Sequence, residues 1–397
     1  MNECASTHRV AFQAYTTGGG AGLLIIDTGY DRGHPDLPNT PLGNCTHGQF
    51  GGCDDGLPKP HGTRATGVIT ARQDGAGVVG VAPGISVLDT YHWGACDSSN
   101  GNCQPSEVAS ALNWAANTLG ARGVINMSLA TSTDYGSVSM AVSAAYGADH
   151  VLVAAMGNDG VQRTNYPAAY SSVLAVGAVN PGGIFPNPDV DYCFAGYPGP
   201  TWGSHIDVVG PWYIGDAVNP GGYIQHYCGG TSMAAASVSG TAALIRSRNF
   251  SWPNWKVYSQ LTNTAQDVHT TGWDPQTGFG LVRADLATGF VAPDAVATIL
   301  NNHPRLTWSA VPFATDYLIY SKITPNICPN FQLIATTAAT AFTDQSIGVT
   351  SFLGYNVPLP AYTAISCQLY ARAGTGPLYS QAGPVITYKT SLSNPPC

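Results

Sequence analysis

Gly229-Gly230-Thr231-Ser232-Met233-Ala234-Ala235-Ala236 runs without a break into Ser237-Val238-Ser239-Gly240-Thr241-Ala242-Ala243-Leu244-Ile245. Two glycines lead into a serine, and the serine opens a long Ala, Leu and Ile run of helical character. A serine at a helix start most often serves only as an N-cap. Here the run is small-residue throughout, so another surface can approach the serine closely. The positive end of the helix also favours negative charge developing beside it. A serine hydroxyl alone is a poor nucleophile and needs a base and an orienting acid. Two upstream stretches supply candidates. Leu23-Leu24-Ile25-Ile26-Asp27-Thr28-Gly29 reads as a buried strand ending in Asp27, and His61-Gly62-Thr63 opens a further Ala, Thr and Val run.

Taken in the order Asp27, His61, Ser232, these stretches resemble the subtilisin-like serine proteases, or subtilases, whose triad has this chain order. Two further stretches strengthen the resemblance: Val124-Ile125-Asn126-Met127-Ser128-Leu129 and Ala154-Ala155-Met156-Gly157-Asn158-Asp159-Gly160. It covers about residues 10–289. The fold it implies is α/β, a subtilisin-like three-layer arrangement with a mainly parallel central sheet. Asp27 alone would read as a helix or turn cap, and a histidine before a helix as a surface or capping residue. The company each keeps makes Asp27 the expected orienting acid and His61 the expected base. The other nine histidines keep the surface or capping reading. Arg64 stands where family members commonly carry a second histidine, outside the triad.

The resemblance also carries binding residues. Asn158 is most simply a turn residue, but in the family its side-chain amide donates to the oxyanion, with the Ser232 N–H as second donor. Ser128, Leu129 and Ala130 correspond to the segment that pairs with an extended substrate backbone. Such pairing binds with little side-chain dependence. Gly157 and Ala168 correspond to the substrate pocket. Ala130 and Thr131 replace two usual glycines, and Ala168 another, so the pocket preference stays open. The loop Arg72-Gln73-Asp74-Gly75-Ala76-Gly77-Val78 would by itself be an Asp-Gly turn. In subtilases its counterpart wraps a structural calcium ion. That implies Ca2+ held by the carboxylates of Asp36 and Asp74 and the carbonyls of Arg72, Ala76 and Val78, with Gln13 a candidate to complete the cage.

Bulk composition agrees with a large soluble enzyme. Hydrophobic residues make up 44% of the 397, ample for a sizeable core. Charged residues are only 10%, so solubility rests on Ser, Thr, Asn, Gly and Tyr. A formal net charge of −8 argues against a non-specific nucleic-acid or anionic-membrane binder. No apolar run reaches the roughly 18 residues that a membrane span needs.

Ten cysteines, none in a C-x-x-C pair, suit disulfides and an oxidising compartment rather than a zinc cluster. Cys45–Cys53 and Cys96–Cys103 would close short loops. Cys193–Cys228, Cys328–Cys367 and Cys4–Cys397 are further plausible pairs, and the sequence leaves the connectivity open. No signal-peptide pattern follows Met1, so the chain reads as a mature form.

The expected organisation is a protease domain over residues 1–289, a linker over 290–303 and a small β-sandwich over 304–397. Alternating strands around Trp308 and Tyr320 make this last part similar to a fibronectin type III module. The expected function is a secreted, extracellular serine endopeptidase, monomeric, acting on protein or peptide substrates and assisted in folding by its own pro-segment. A neutral His61 base places the rise of activity at roughly pH 6 to 8. A non-catalytic peptide-binding homologue would need a damaged triad, and none is visible. An esterase would normally show Gly-x-Ser-x-Gly, whereas Gly230-Thr231-Ser232-Met233-Ala234 lacks the final glycine.

Overall fold

The computed structural model describes residues 16–37, 45–46, 60–85, 90–97, 101–119, 122–180, 182–186 and 198–288. Towards the C-terminus it describes residues 295–308, 316–324, 328–346, 349–355, 364–372 and 386–390. The chain divides into two compact units, one of them Thr16–Thr288, the other including Gly289–Cys397.

In the first unit the apolar runs become strands β1 (Leu23–Asp27), β2 (Cys45–Thr46), β3 (Thr90–Gly94), β4 (Val124–Met127), β5 (Val151–Ala155), β6 (Leu174–Val179) and β7 (Val208–Pro211). They form a seven-stranded sheet in the order β2-β3-β1-β4-β5-β6-β7, with every neighbour parallel. β1, β4, β5 and β6 are buried along their full length, as parallel strands covered on both faces must be.

The period of two divides their side chains between two layers. Leu24, Ile26, Ile125, Met127, Leu152 and Ala154 share one core with Val108 and Leu112 of α2 (Pro105–Thr118) and Val138 and Val142 of α3 (Gly136–Gly147). Among the remaining helices, α1 (His61–Thr70) packs on α4 (Gly230–Arg248), and α4 lies along β4 to β7. α4 is buried from Gly230 to Arg246, which its Ala, Ser and Gly content permits. The result is the expected helix–sheet–helix sandwich. An antiparallel hairpin, β8 (Tyr213–Asn219) and β9 (Gly222–Cys228), leads directly into α4. Helices α5 (Asn254–Asn263) and α6 (Ala284–Ala287) complete the unit.

The second unit is antiparallel. Strands β10 (Ala295–Leu300), β11 (His303–Trp308) and β14 (Ala341–Thr343) form one sheet. The other contains β12 (Asp316–Thr324), β13 (Cys328–Thr337), β15 (Val349–Tyr355), β16 (Ala364–Arg372) and β17 (Ile386–Thr390). Trp308 and Tyr317 are buried and their rings meet at 5.1 Å, so these aromatics are core. Part of the stretch expected to be linker is strand β10. Asn301 and Asn302 turn it back on β11 with φ of 50° and 63°, the two positive values that a two-residue type I′ hairpin requires.

Three histidines expected at the surface are buried: His34, His92 and His150. His92 stacks on Tyr30 at 3.7 Å and meets the Thr66 hydroxyl at 3.0 Å, and burial pushes its imidazole down to about 3. It is a neutral core residue, because β3 carries it into the apolar layer. The Cys96–Cys103 disulfide is present and staples the loop before α2. Cys228 is also disulfide-bonded, with its partner outside the described residues. The other expected pairings fall on residues or side chains outside the described set.

Candidate active site

The carboxyl ends of the parallel strands meet the first turn of α4 at a cleft of about 1050 Å³. An open α/β sheet places its ligands at this end. Asp27 ends β1, His61 begins α1, Ser128 follows β4, Asn158 follows β5 and Ser232 lies in the first turn of α4. All five line the cleft.

Asp27 is 2% exposed, and its Oδ1 and Oδ2 lie 2.8 and 3.0 Å from His61 Nδ1. The Thr28 N–H donates to Asp27 Oδ1 at 2.8 Å, and the Thr28 hydroxyl accepts from the Gly62 N–H at 2.9 Å. Strand end and helix start are therefore tied together, and the carboxylate meets the imidazole in a fixed orientation. With its proton on Nδ1 facing Asp27, the ring keeps Nε2 as its basic nitrogen.

Ser232 does not cap α4. Gly229 occupies the N-cap position, and the Ser232 hydroxyl donates to the Ser128 carbonyl at 3.1 Å. The Ser128 hydroxyl in turn donates to the Ser232 carbonyl at 2.8 Å. Ser239 and Ser128 both hydrogen-bond the fully buried Asn126, which anchors α4 to β4 below the serine. As one of the first four helical residues, Ser232 has an N–H with no partner inside the helix.

Asn158 Oδ1 accepts the Thr231 N–H and the Thr231 hydroxyl, both at 3.0 Å. With the oxygen so engaged, the amide's NH2 is the group left to donate. Gly230 makes this approach possible. Its φ is +63°, and a Cβ there would lie 2.7 Å from Asn158 Oδ1.

Ser128, Leu129, Ala130 and Gly157 line the cleft, and Ala168 is not among its lining residues. It is 2% exposed and belongs to the core, because the chain turns inward after Pro167 and the Ala169 N–H bonds the Asn165 carbonyl. Tyr166 and Pro167 present the surface in its place. Thr131 and Tyr166 exchange backbone hydrogen bonds of 2.9 and 2.7 Å across this end of the cleft. The stapled loop contributes Cys96, Asn102 and Cys103. Trp212, Tyr227 and Tyr170 also line the cleft and carry no motif. Only the position of Tyr227, two residues before Gly229, could have drawn attention to it.

Asp36, in the segment after β1, meets the loop that carries the other expected calcium residues, and its carbonyl accepts the Arg72 N–H at 2.9 Å. The Asp36 carboxylate is buried, and its Oδ2 accepts the Val78 N–H at 2.8 Å; Asp74 is exposed and accepts the Ala76 N–H at 3.1 Å. Burial, with the Asp74 carboxylate beside it, pushes the Asp36 carboxyl above the usual range despite the Val78 hydrogen bond. Among the described residues the carbonyls of Arg72, Ala76 and Val78 accept no hydrogen bond, and no cluster of three or more His, Cys, Asp or Glu is present. Two repelling carboxylates and three uncommitted carbonyls make an all-oxygen donor set, which fits a hard cation such as calcium. Gln13 lies outside the described residues. Sequence reasoning missed Tyr223, whose hydroxyl bonds Asp36 and whose ring meets His34 edge-on at 5.2 Å. Gly77 has a φ of +59° and lies so close to both groups that a side chain there would clash.

Comparison with known proteins follows the same lines. The Subtilase family (peptidase S8) profile matches residues 18–280. Alkaline elastase YaB from Bacillus sp. (strain YaB) is 34% identical over 273 residues, covering 68% of this chain and 65% of that protein. Subtilisin Savinase from Lederbergia lenta is 33% identical over 272 residues, covering 68% of this chain and 92% of that protein. Among solved structures, a protease from Pseudoalteromonas arctica PAMC 21717 superposes with a TM-score of 0.58 at 26% identity, covering 71% of this chain and 93% of that one. No helix among the described residues is long and apolar enough to cross a membrane.

Proposed function

Because the chain belongs to the subtilase family of serine peptidases, we propose that it is a secreted serine endopeptidase cleaving proteins with Asp27, His61 and Ser232. The observation that carries the reading is the buried Asp27 carboxylate paired with His61 at 2.8 Å, sharing one cleft with Ser232 at the head of α4. In this mechanism the Ser232 hydroxyl leaves the Ser128 carbonyl, attacks the scissile carbonyl carbon and gives its proton to His61 Nε2. Asp27 holds the imidazole in the required tautomer and stabilises the imidazolium. The carbonyl oxygen, now an anion, takes hydrogen bonds from the Asn158 NH2 and the Ser232 N–H. His61 then protonates the leaving amine, and water, deprotonated by His61, releases the acyl group. Ser128 to Ala130 would pair with the substrate backbone on the acyl side.

Disulfides and a low charge fraction support an extracellular setting. We take the protein as a monomer that folds with a pro-segment. Residues 1–289 form its protease domain, and the residues that follow, from β10 on, form an accessory β-sandwich.

The test is cleavage of casein or a peptide with and without a serine-directed phosphonyl reagent, the adduct being mapped by mass spectrometry. Loss of activity with one adduct on Ser232 is the expected result. Activity that persists without an adduct there would put a peptide-binding role first.

Calcium belongs to the same proposal. Asp36, Asp74 and the carbonyls of Arg72, Ala76 and Val78 would hold it, and the ion would neutralise the carboxylate pair and brace the loop. Binding to the folded state alone adds about 3 kcal/mol at a hundredfold excess over Kd, a Tm gain of about 5–10 °C for a domain of this size. The phosphonylated protein, which cannot digest itself, should show that gain with calcium and lose it with EDTA. Equal melting in both would remove calcium from the assignment.

A further inference from the structure

We propose that Arg64 is a specificity residue that selects an acidic side chain on the leaving-group side of the scissile bond, an inference that rests on the proteolytic reading above. Arg64 follows His61 by one turn of α1 and lines the same cleft. Its guanidinium lies 4.5 Å over the Tyr227 ring. Nε and Nη2 form a fork on Asn219 Oδ1 at 3.2 and 2.8 Å, and Nη1 donates to the Tyr227 hydroxyl at 3.2 Å. Every one of these partners is neutral. Two other carboxylates line the cleft, and both are engaged: Asp27 by His61, and Asp159 by Arg163 at 3.4 Å, Asn165 and Thr201. Among the described residues no carboxylate pairs with Arg64.

A half-buried cation with neutral partners is only partly compensated by water. Three of the five guanidinium N–H groups are committed, which leaves two to donate. The Asn219 fork and the Tyr227 stack also hold the group in place, so little side-chain entropy is lost when a carboxylate arrives.

The direction follows from the chemistry. The acyl half of the substrate lies towards Ser128–Ala130 and Asn158. His61 must reach the leaving nitrogen, so the departing chain passes His61 on the side of α1 and the β8–β9 hairpin, where Arg64 and Tyr227 stand. A Glu or Asp just after the cleaved bond would accept charge-assisted hydrogen bonds from the free edge of Arg64. Lys there would be repelled.

The bland alternative makes Arg64 a strut between α1 and the hairpin, and the two readings separate in one experiment. Internally quenched peptides with a constant acyl side carry Glu, Gln or Lys at the first or the second position after the bond. For the unmodified enzyme, kcat/KM for Glu should exceed that for Gln by about five- to tenfold at one of these positions, with Lys lower still. The preference should shrink at high ionic strength. In Arg64→Gln the Glu-to-Gln ratio should fall to near one, whereas Arg64→Lys should keep its sign. A strut would change all three peptides equally. Should Arg64→Gln not fold, the unmodified enzyme's ratios and their salt dependence still decide. Cleavage of all peptides at equal rates overturns the Arg64 inference alone, and cleavage of none overturns the proteolytic reading and this inference with it.

Discussion

Ser232→Ala is expected to lower kcat/KM on a peptide substrate by at least about 10⁴-fold while leaving the protein folded. The hydroxyl is the only protein group in the proposed mechanism that forms a bond to carbon. Without it, the oxyanion donors and the binding wall can only assist water. The structural cost is small. Among the described residues Ser232 Oγ makes one hydrogen bond, to the Ser128 carbonyl, and losing it removes about 1 kcal/mol. The second clamp at this point, from the Ser128 hydroxyl to the Ser232 carbonyl, uses the backbone and survives. Melting temperature and circular dichroism should therefore match the parent within a few degrees, which distinguishes a chemical defect from unfolding. His61→Ala should lose a similar factor, and the double variant should be no slower than either, because nucleophile and base act as a unit. If Ser232→Ala retained more than about a hundredth of the parent rate, the nucleophile would have to be sought elsewhere.

How far the site could be read in advance depended on how local each signal was. Asp27, His61 and Ser232 each stand at a boundary that the chain itself marks: the end of an apolar run, the start of a helix, two glycines before one. The parallel sheet was legible for the same reason, since the runs at residues 23–26 and 151–155 have no polar alternation and so must be covered on both faces. Pairings across the chain were not. Arg64 meets Tyr227 across a sequence separation of 163 residues, and nothing local to either residue announces it. Ala168 is buried beside Tyr166 and Pro167, and resemblance identifies that turn without saying which of its side chains turns inward. The β10–β11 hairpin is a different case. Its signal, Asn301-Asn302, was local and mechanistic, and it was obscured by a compositional reading of the surrounding Ala, Pro and Val as a connector.

Asn158 is the residue where a catalytic and a structural role overlap, and two substitutions separate them. Its Oδ1 holds the Thr231 N–H and hydroxyl, which fixes the start of α4 and with it Ser232. Its NH2 is the proposed oxyanion donor. Asn158→Leu removes both functions. Asn158→Asp keeps an oxygen for Thr231 but replaces the donor with a second negative charge facing the developing oxyanion. The loss of one such donor lowers kcat by about 100- to 1,000-fold. Asn158→Asp should therefore fall at least that far in kcat, with little change in KM, because the donor acts on charge that exists only in the transition state. Its melting temperature should stay near the parent's, while Asn158→Leu should melt lower through the loss of the Thr231 contacts. If the amide were merely a cap for α4, the order would invert: Asn158→Asp would keep most of its kcat, since a carboxylate caps a helix N-terminus at least as well as an amide. The kcat of a fully folded Asn158→Asp protein is thus the quantity that assigns the amide its role.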